Sequence, residues 1–271
     1  PVLFVLSISL SAEASITQYG YRFIPRIFST EGFDYLIKQG SLILRSVGIS
    51  IFVTVVGTVI GVLLTTLMGY VISRNDFKLK NFLTWLVFVP MVFNGGLIST
   101  YFINRQLLGL GNTVWALILP MCVSSFSVVI CKTFFRLTIP DSLVESAKID
   151  GATQFTIFFK LVLPLSLPVV ATIALFLTFA YWNDWWLAML YVDNRSLFTL
   201  QALLNGIMND INMLAQNSHL LGMTQAQLLA SMPKEAARMA IAVIIVLPIA
   251  CAYPFFQRYF ITGLTVGAVK G

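Results

Sequence analysis

Charge is what this sequence has least of. Asp, Glu, Lys and Arg together make up 10% of its 271 residues, while 58% are hydrophobic. So little polar surface cannot cover a water-soluble globule, and that class is excluded. No Gly-x4-Gly-Lys-Ser/Thr string occurs, so the chain has no recognisable cradle for nucleotide phosphates. Its apolar segments hold no Ser/His/Asp or His/Glu cluster, which an intramembrane hydrolase would need. The only histidine, His219, falls in a polar loop without metal-ligand partners, and reads as surface decoration. Cys122, Cys131 and Cys251 all lie in apolar stretches, at spacings that fit no metal site. They read as small hydrophobes in helical packing. The net charge of +6 requires no nucleic acid, because anionic lipid headgroups are the ordinary counterpart of juxtamembrane Lys and Arg. There is no cleavable signal-peptide layout.

What is present is long apolar helix. A membrane span needs about 20 mostly apolar residues. Five stretches qualify: about Leu42–Ile72, Phe82–Tyr101, Val114–Phe135, Pro164–Val192 and Met239–Ile261. Pro1–Leu10 is apolar but too short to cross, and reads as the tail of a truncated first span. The expected fold is therefore an all-α polytopic membrane protein with about six transmembrane helices, forming a single domain over residues 1–271 with its core at about 41–261. Gly57, Gly61, Thr65 and Gly69 make a small-residue stripe in the first complete span. Such a stripe serves close helix packing, either inside the chain or at a moving or inter-subunit surface. Pro90, Pro120, Pro248 and Pro254 interrupt apolar helices. Membrane helices tolerate this when neighbours satisfy the freed carbonyls.

A polar insert separates two of the spans. Pro140 stops the preceding helix. Ser142-Leu143-Val144-Glu145 fits a capping box. A short helix then runs to about Asp150, and Gly151 supplies a left-handed end. Thr153 can cap a second helix, which passes Phe155, Phe158 and Phe159 to Leu163, and Pro164 opens the next span. The pattern predicts a helix–Gly–helix elbow over residues 140–163, lying along a membrane face. With the elbow inside, nine of the 17 Lys and Arg are cytoplasmic: Arg74, Lys78, Lys80, Lys132, Arg136, Lys148, Lys160, Arg258 and Lys270. The inside segments are the shorter ones, so their basic density is higher, as the positive-inside rule asks. Ser73–Asn81 is the clearest such loop.

The insert Glu145-Ser146-Ala147-Lys148-Ile149-Asp150-Gly151-Ala152, followed by Leu161-Val162-Leu163-Pro164, resembles the EAA loop of membrane subunits of binding-protein-dependent ATP-driven (ABC) importers. The family pattern is Glu-Ala-Ala, three residues, Gly, nine residues, Ile-x-Leu-Pro. Ser146 stands for the first Ala and Leu161 for the Ile. Ala116-Leu117-Ile118-Leu119-Pro120, Trp182-Asn183-Asp184, Phe256-Gln257-Arg258-Tyr259-Phe260 and the tail Gly263–Gly271 resemble the carbohydrate branch, which contains the maltose-importer permease. Pro90–Asn112 is similar to a complex-oligosaccharide subgroup that includes the alginate importer's second permease. The resemblance implies a non-catalytic permease subunit in the bacterial inner membrane with a cytoplasmic C-terminus. Its implied partners are a second homologous permease, two ATPase subunits and an extracytoplasmic solute-binding protein. ATP and Mg would sit in the ATPase partners, so this chain needs no cofactor of its own and no metal. Glu145, Ser146, Ala147, Asp150, Gly151 and Ala152 would couple to the ATPase. The tail at 262–271, with Lys270 its only charged side chain, would reach the same interface; a frayed terminus is the plainer reading.

Near the outer end of the Pro164 span stand Tyr181, Trp182, Asn183, Asp184, Trp185 and Trp186. Flat rings beside amide and carboxylate groups suit a sugar, the rings covering its C–H faces. An interfacial aromatic belt or helix-packing polar groups explain the same residues. On one continuous helix, Asn183 and Trp186 share a face and Asp184 points elsewhere. Asn183, Trp186 and Trp182 are accordingly the pathway candidates, and Asp184 a structural hydrogen-bond partner. The outer loop at 193–235 carries Leu203, Leu204, Ile207, Met208, Ile211 and Leu214 at helical spacing, and Pro233 suits the first turn of the last helix. In the family resembled, this loop faces the binding protein. The earlier outer segment, Ser11–Gly40, receives no assignment from its sequence. An importer of the same architecture for another solute class, or a secondary transporter, is the alternative. The latter would call for several buried ionisable groups, where the spans offer chiefly Asp184.

Overall fold

The computed structural model describes residues 2–38, 40–216 and 234–268. Every regular element among them is helical, apart from one isolated antiparallel bridge between Ser11 and Phe28. The chain divides into two compact units. One comprises Pro1–Ser50, Asp184–Met189 and Asp193–Ala252, the other Ile51–Asn183, Leu190–Val192 and Tyr253–Gly271.

The first unit begins with α1 (Val2–Ser9), α2 (Glu13–Tyr19) and α3 (Glu31–Ile37). These supply the structure that the sequence left unassigned between Ser11 and Gly40. The start of the last helix is their anchor. Its first backbone donors, which have no partner within the helix, are met by the Glu13 carboxylate, which accepts from the N–H groups of Glu235 (3.0 Å) and Ala236 (2.9 Å). A carboxylate at a helix N-terminus is also favoured by the helix dipole. Tyr21 donates its hydroxyl to Glu235 at 2.8 Å, and that bond holds the phenol's pKa above its ordinary value. Gly32 packs against the same turn, where a Cβ would fall 2.6 Å from the Ala236 carbonyl oxygen.

The long α4 (Gly40–Ser73) contains the expected span Leu42–Ile72 in one unbroken helix. Its 34 residues extend about 51 Å at the usual helical rise, ample for a ~30 Å hydrocarbon layer. In the second unit its small-residue stripe packs inside the chain. A Cβ on Gly57 would meet the Tyr181 ring at 2.5 Å, one on Gly61 the Cys122 carbonyl oxygen at 2.7 Å, and one on Gly69 the Cys131 Cβ at 2.5 Å. Thr65 is fully buried in the same row. Of the two readings of the stripe, packing within the chain is the one observed. Cys122 and Cys131 are the small buried residues it packs on.

Three of the other four expected spans are helical but interrupted. Phe82–Tyr101 becomes α5 (Lys80–Val92) and α6 (Gly96–Phe102), separated where Phe93 turns extended and Gly96 takes φ +81°. Pro90 lies within α5 without ending it. A π-helical turn, Ile103–Leu107, follows. Val114–Phe135 becomes α7 (Trp115–Ile118) with a 3-10 turn at Leu119–Met121, then α8 (Ser125–Thr138), bent by 50°. Pro120 sits in the 3-10 turn, where its missing N–H costs least. Pro164–Val192 is divided into α12 (Leu167–Asn183) and α13 (Trp186–Tyr191).

By length and composition, one described helix could cross a membrane alone, and up to three spans result if each bent pair counts as one. The helical hydrophobic spacing after residue 200 forms α14 (Leu200–Gln216), with Leu203, Leu204, Ile207 and Ile211 buried. Residues 217–233, including His219 and Pro233, lie outside the described residues. The final helix, α15, runs Lys234–Ala268. It continues well past the end expected near Ile261, so much of the tail at 262–271 is helical instead of loose. Lys270 lies outside the described residues.

Candidate functional site

The elbow is built by local signals in its own sequence. Pro140, fixed at φ −62° and ψ 144°, turns the chain out of α8 and into α9 (Asp141–Ile149). The helix therefore starts one residue before Ser142. The expected capping box of Ser142 and Glu145 does not form, because Pro140 already occupies the cap position and offers no side-chain acceptor. At the other end the expectation holds. Gly151 has φ +81°. Its N–H donates to the Lys148 carbonyl (3.0 Å), and the Ala152 N–H to the Ala147 carbonyl (3.0 Å). This pair of bonds is a Schellman motif, which only a left-handed residue permits without strain.

Thr153 caps the second arm, accepting from the Thr156 N–H at 3.3 Å. That arm is α10 (Gln154–Ile157), a π-helical turn Phe158–Val162 and α11 (Leu163–Leu165). Pro164 does not open the next span. It lies inside α11, and α12 starts after an 85° bend at Ser166. The π turn has a cause. Proline has no N–H for the Lys160 carbonyl and its ring crowds that carbonyl, and the widened turn relieves both.

The elbow is held to the chain by an ionic clasp that the sequence did not disclose. Arg74, at the end of α4, pairs with Asp141 at 2.8 Å and with Asp76 at 3.6 Å. Lys148 reaches Asp76 at 2.5 Å, and Asn75 donates to the second Asp141 oxygen at 3.2 Å. The loop Ser73–Asn81, legible only as a positive-inside signal, is thus half of a clamp spanning both ends of α9. The ammonium of Lys148 holds the Asp76 carboxyl below its ordinary pKa. Its signal in sequence was the mixed charge of Arg74-Asn75-Asp76, which composition alone could not pair with an insert some 70 residues later.

Beneath the clasp, Val144, Ile157, Phe158 and Val162 are buried. Beside them is a cavity of about 530 Å³ lined by Leu67, Tyr70, Val71, Arg74, Phe77, Phe155 and Phe158. Much of the elbow's remaining surface is exposed. Glu145, Ser146, Asp150 and Gly151 are exposed, and Ala147 and Ala152 partly so. Two large apolar side chains stand out among them, Ile149 at 86% and Phe155 at 70% exposure. The structure therefore brings all six coupling candidates into one exposed elbow.

The aromatic pathway candidates are arranged differently from the expectation. Trp182 is buried. Neighbouring Tyr181 donates its hydroxyl to the Ile118 carbonyl at 2.7 Å. Asn183 is exposed, and its amide donates back to the Phe179 carbonyl at 2.9 Å. The helix then stops, so Asn183 and Trp186 are not one turn apart on a continuous helix, and the shared-face argument lapses. The Asp184 carboxylate accepts from the Leu187 N–H at 3.2 Å, holding the first turn of α13, and its carbonyl accepts from the Thr199 hydroxyl at 3.0 Å. Trp186 is exposed, edge-on to Trp185 with centroids 5.6 Å apart.

Residues 57–266 match the family described as binding-protein-dependent transport system inner membrane component. The chain is 38% identical to Protein LplC of Bacillus subtilis, over all of this chain and 89% of that protein. It is 37% identical to the polygalacturonan/rhamnogalacturonan transport system permease protein YtcP of the same organism, over all of this chain and 92% of that protein. It also superposes with a TM-score of 0.82 on a chain from the crystal structure of a bacterial ABC transporter involved in the import of the acidic polysaccharide alginate, at 28% identity over 96% of this chain and 90% of that one. The chain therefore belongs to the family of inner membrane components of binding-protein-dependent transport systems.

Proposed function

We propose that this chain is one of two homologous permeases of an ATP-driven carbohydrate importer, and that its elbow transmits ATPase movement to the membrane helices. The supporting observation is the elbow itself: a Schellman-capped pair of helices, clasped to the end of α4 by Arg74, Asp76, Asp141 and Lys148, with Glu145, Ile149 and Phe155 turned outward. An apolar anchor ringed by polar groups is what a docking helix offers a soluble partner. The cavity beside the elbow leaves one flank thinly packed, so displacement costs few van der Waals contacts. Closure of two ATPase subunits would push the elbow and rotate the attached helices between outward- and inward-facing states. ATP and Mg belong to those partners. About six spans, with elbow and C-terminus cytoplasmic, complete the reading, and the charge distribution supports that orientation.

The relatives' named cargoes, polygalacturonan/rhamnogalacturonan and alginate, support an oligosaccharide derived from an acidic polysaccharide, delivered by a solute-binding protein. Asn183 and Trp186 remain the pathway residues we propose, with Asp184 a structural partner. Trp182 is a weaker candidate, since a buried ring offers little face to a sugar. Transport and thermal stability measured on the same purified variants test this assignment. Trp186→Ala should impair transport in a stable complex and Asp184→Asn should lower stability; the reverse pattern would exchange the two roles. Lys270 and the tail are proposed to meet the ATPase. Truncation after Gly263 should then lower coupled ATPase activity with normal membrane insertion, and unchanged coupling would remove the tail from the interface.

The reading as a whole is tested by purifying the chain with its co-expressed neighbouring subunits and assaying ATPase activity across candidate oligosaccharides. Stimulation by a binding protein loaded with an acidic oligosaccharide is the expected result. Stimulation by amino acids or peptides alone would reassign the solute class.

A further inference from the structure

Residues 20–28 form a loop whose position the transport reading does not explain. Gly20, at φ +71°, reverses the chain after α2. The loop then runs back beside the end of α1. The Ala12 N–H donates to the Ile27 carbonyl (3.1 Å) and the Ser29 N–H to the Leu10 carbonyl (3.0 Å). Ser7 donates its hydroxyl to the Phe23 carbonyl at 2.7 Å. The Phe23 ring lies against that of Phe4, with centroids 4.6 Å apart. Phe4 is in the apolar helix α1, whose Val2, Leu3 and Leu6 are themselves exposed, so the contact joins the loop and that helix into one apolar surface.

The exposed side chains of this loop are of two kinds. Phe23, Ile24, Ile27 and Phe28 are between 55% and 79% exposed. Arg22 and Arg26 are exposed as well, and both guanidinium groups lie over the Tyr19 ring, at 5.9 and 4.3 Å from its centroid. Four large apolar groups in water would be costly, at about 25 cal/mol per Å² of apolar surface. In an inner membrane component the bilayer offers them an alternative solvent. Arginines steadied on an aromatic ring at the same level match the headgroup zone, where cations meet phosphate and tyrosine sits at the interface.

We propose that Gly20–Phe28 is a membrane-interface wedge: Phe23, Ile24, Ile27 and Phe28 enter the outer leaflet, and Arg22 and Arg26 bind the phosphate of an anionic phospholipid. The wedge fixes the height of the first unit's N-terminal segment in the bilayer. Because Glu13 and Tyr21 of that segment hold the start of α15, the lipid contact also sets where that helix begins.

The test uses the complete importer in phosphatidylglycerol bilayers. A spin label at Ile24→Cys, with the exposed Cys251 replaced by serine, reports depth by its relative access to oxygen and to a water-soluble nickel chelate. Greater access to oxygen supports the wedge. Greater access to the nickel chelate places the loop in water and overturns it. Access to neither means that a protein surface, the second permease or the binding protein, covers the loop, and this also overturns it. The headgroup contact is read separately, by native mass spectrometry of phosphatidylglycerol bound to the complex. Replacing Arg22 and Arg26 with glutamine should weaken binding roughly fivefold per arginine. Unchanged phosphatidylglycerol retention would refute the phosphate site. Neither readout depends on the transported solute or on ATPase coupling, so failure here leaves the transport reading standing, and the reverse is also true.

Discussion

Gly151 separates conformational from steric causes unusually well. It sits at φ +81°, and a Cβ built there meets nothing within 4 Å. A substitution therefore collides with no neighbour, and its whole effect comes from the backbone. A non-glycine residue in the left-handed region costs roughly 1–2 kcal/mol, asparagine least and β-branched residues most. If the cap opens instead, the Gly151–Lys148 and Ala152–Ala147 bonds are lost, at about 1 kcal/mol each. The two costs compete, so Gly151→Val should shift the elbow toward a misplaced state by about 2 kcal/mol, roughly a 30-fold change in population. Gly151→Ala should fall between, and Gly151→Asn should stay near the parent. The assay is binding-protein-stimulated ATPase activity and transport in the reconstituted complex, with assembly checked by subunit stoichiometry. The order Asn, Ala, Val in increasing uncoupling is expected. Full coupling in Gly151→Val would refute the requirement for the cap. Equal failure of all three would show that the partner needs the bare backbone there, a contact requirement and not a conformational one.

Two further outcomes follow from the packing and the charges. Asp76 has its carboxyl pKa lowered by Lys148, so it contributes stability above the unfolded carboxylate value near 4, and this is lost as pH falls through the lower folded value. The Asp76 side chain is half exposed, so the contribution is at most about 1 kcal/mol. Asp76→Asn should remove that acid-sensitive component from thermal melts below about pH 4, and an unaltered acid profile would argue against the clasp. Gly57→Ala would place a methyl 2.5 Å from the Tyr181 ring, which is buried and tethered to Ile118. Overpacking of this kind costs about 1–3 kcal/mol. A lower Tm in detergent is expected, and an unchanged one would mean that the α4–α12 contact is looser than described.

What the sequence disclosed follows from the range of the signals. Pro140, Gly151 and Thr153 act on their own backbone, so the elbow's boundaries were readable within a residue or two. The capping box failed because two local signals competed, and the rigid proline, one residue earlier, won. The long apolar run of α4 was legible for the same local reason. Breaks at Ser166 and Asp184 were not, since an apolar composition is equally compatible with a straight helix. Pro164 reads in sequence as the opening of the next span, but it lies inside α11, where a π turn absorbs the missing donor. The Asp184 break removed the helical face on which the pairing of Asn183 with Trp186 had rested. Long-range partners were invisible: nothing local joins Lys148 to Asp76, or the Glu13 carboxylate to the N-terminus of α15.

The most direct measurement is a site-specific crosslink from the elbow. Ile149→Cys, in a background with Cys251 replaced, places a thiol at an 86% exposed position of α9. In the assembled importer with a cysteine on the ATPase surface, it should form an adduct with the ATPase subunit. Closing that crosslink should abolish stimulated ATPase activity, and reduction should restore it. The equally exposed Ile98, on the α6 helix, should yield no such adduct. Failure of Ile149 to crosslink in an active complex, or full stimulated activity with the crosslink closed, would contradict the elbow as the coupling element.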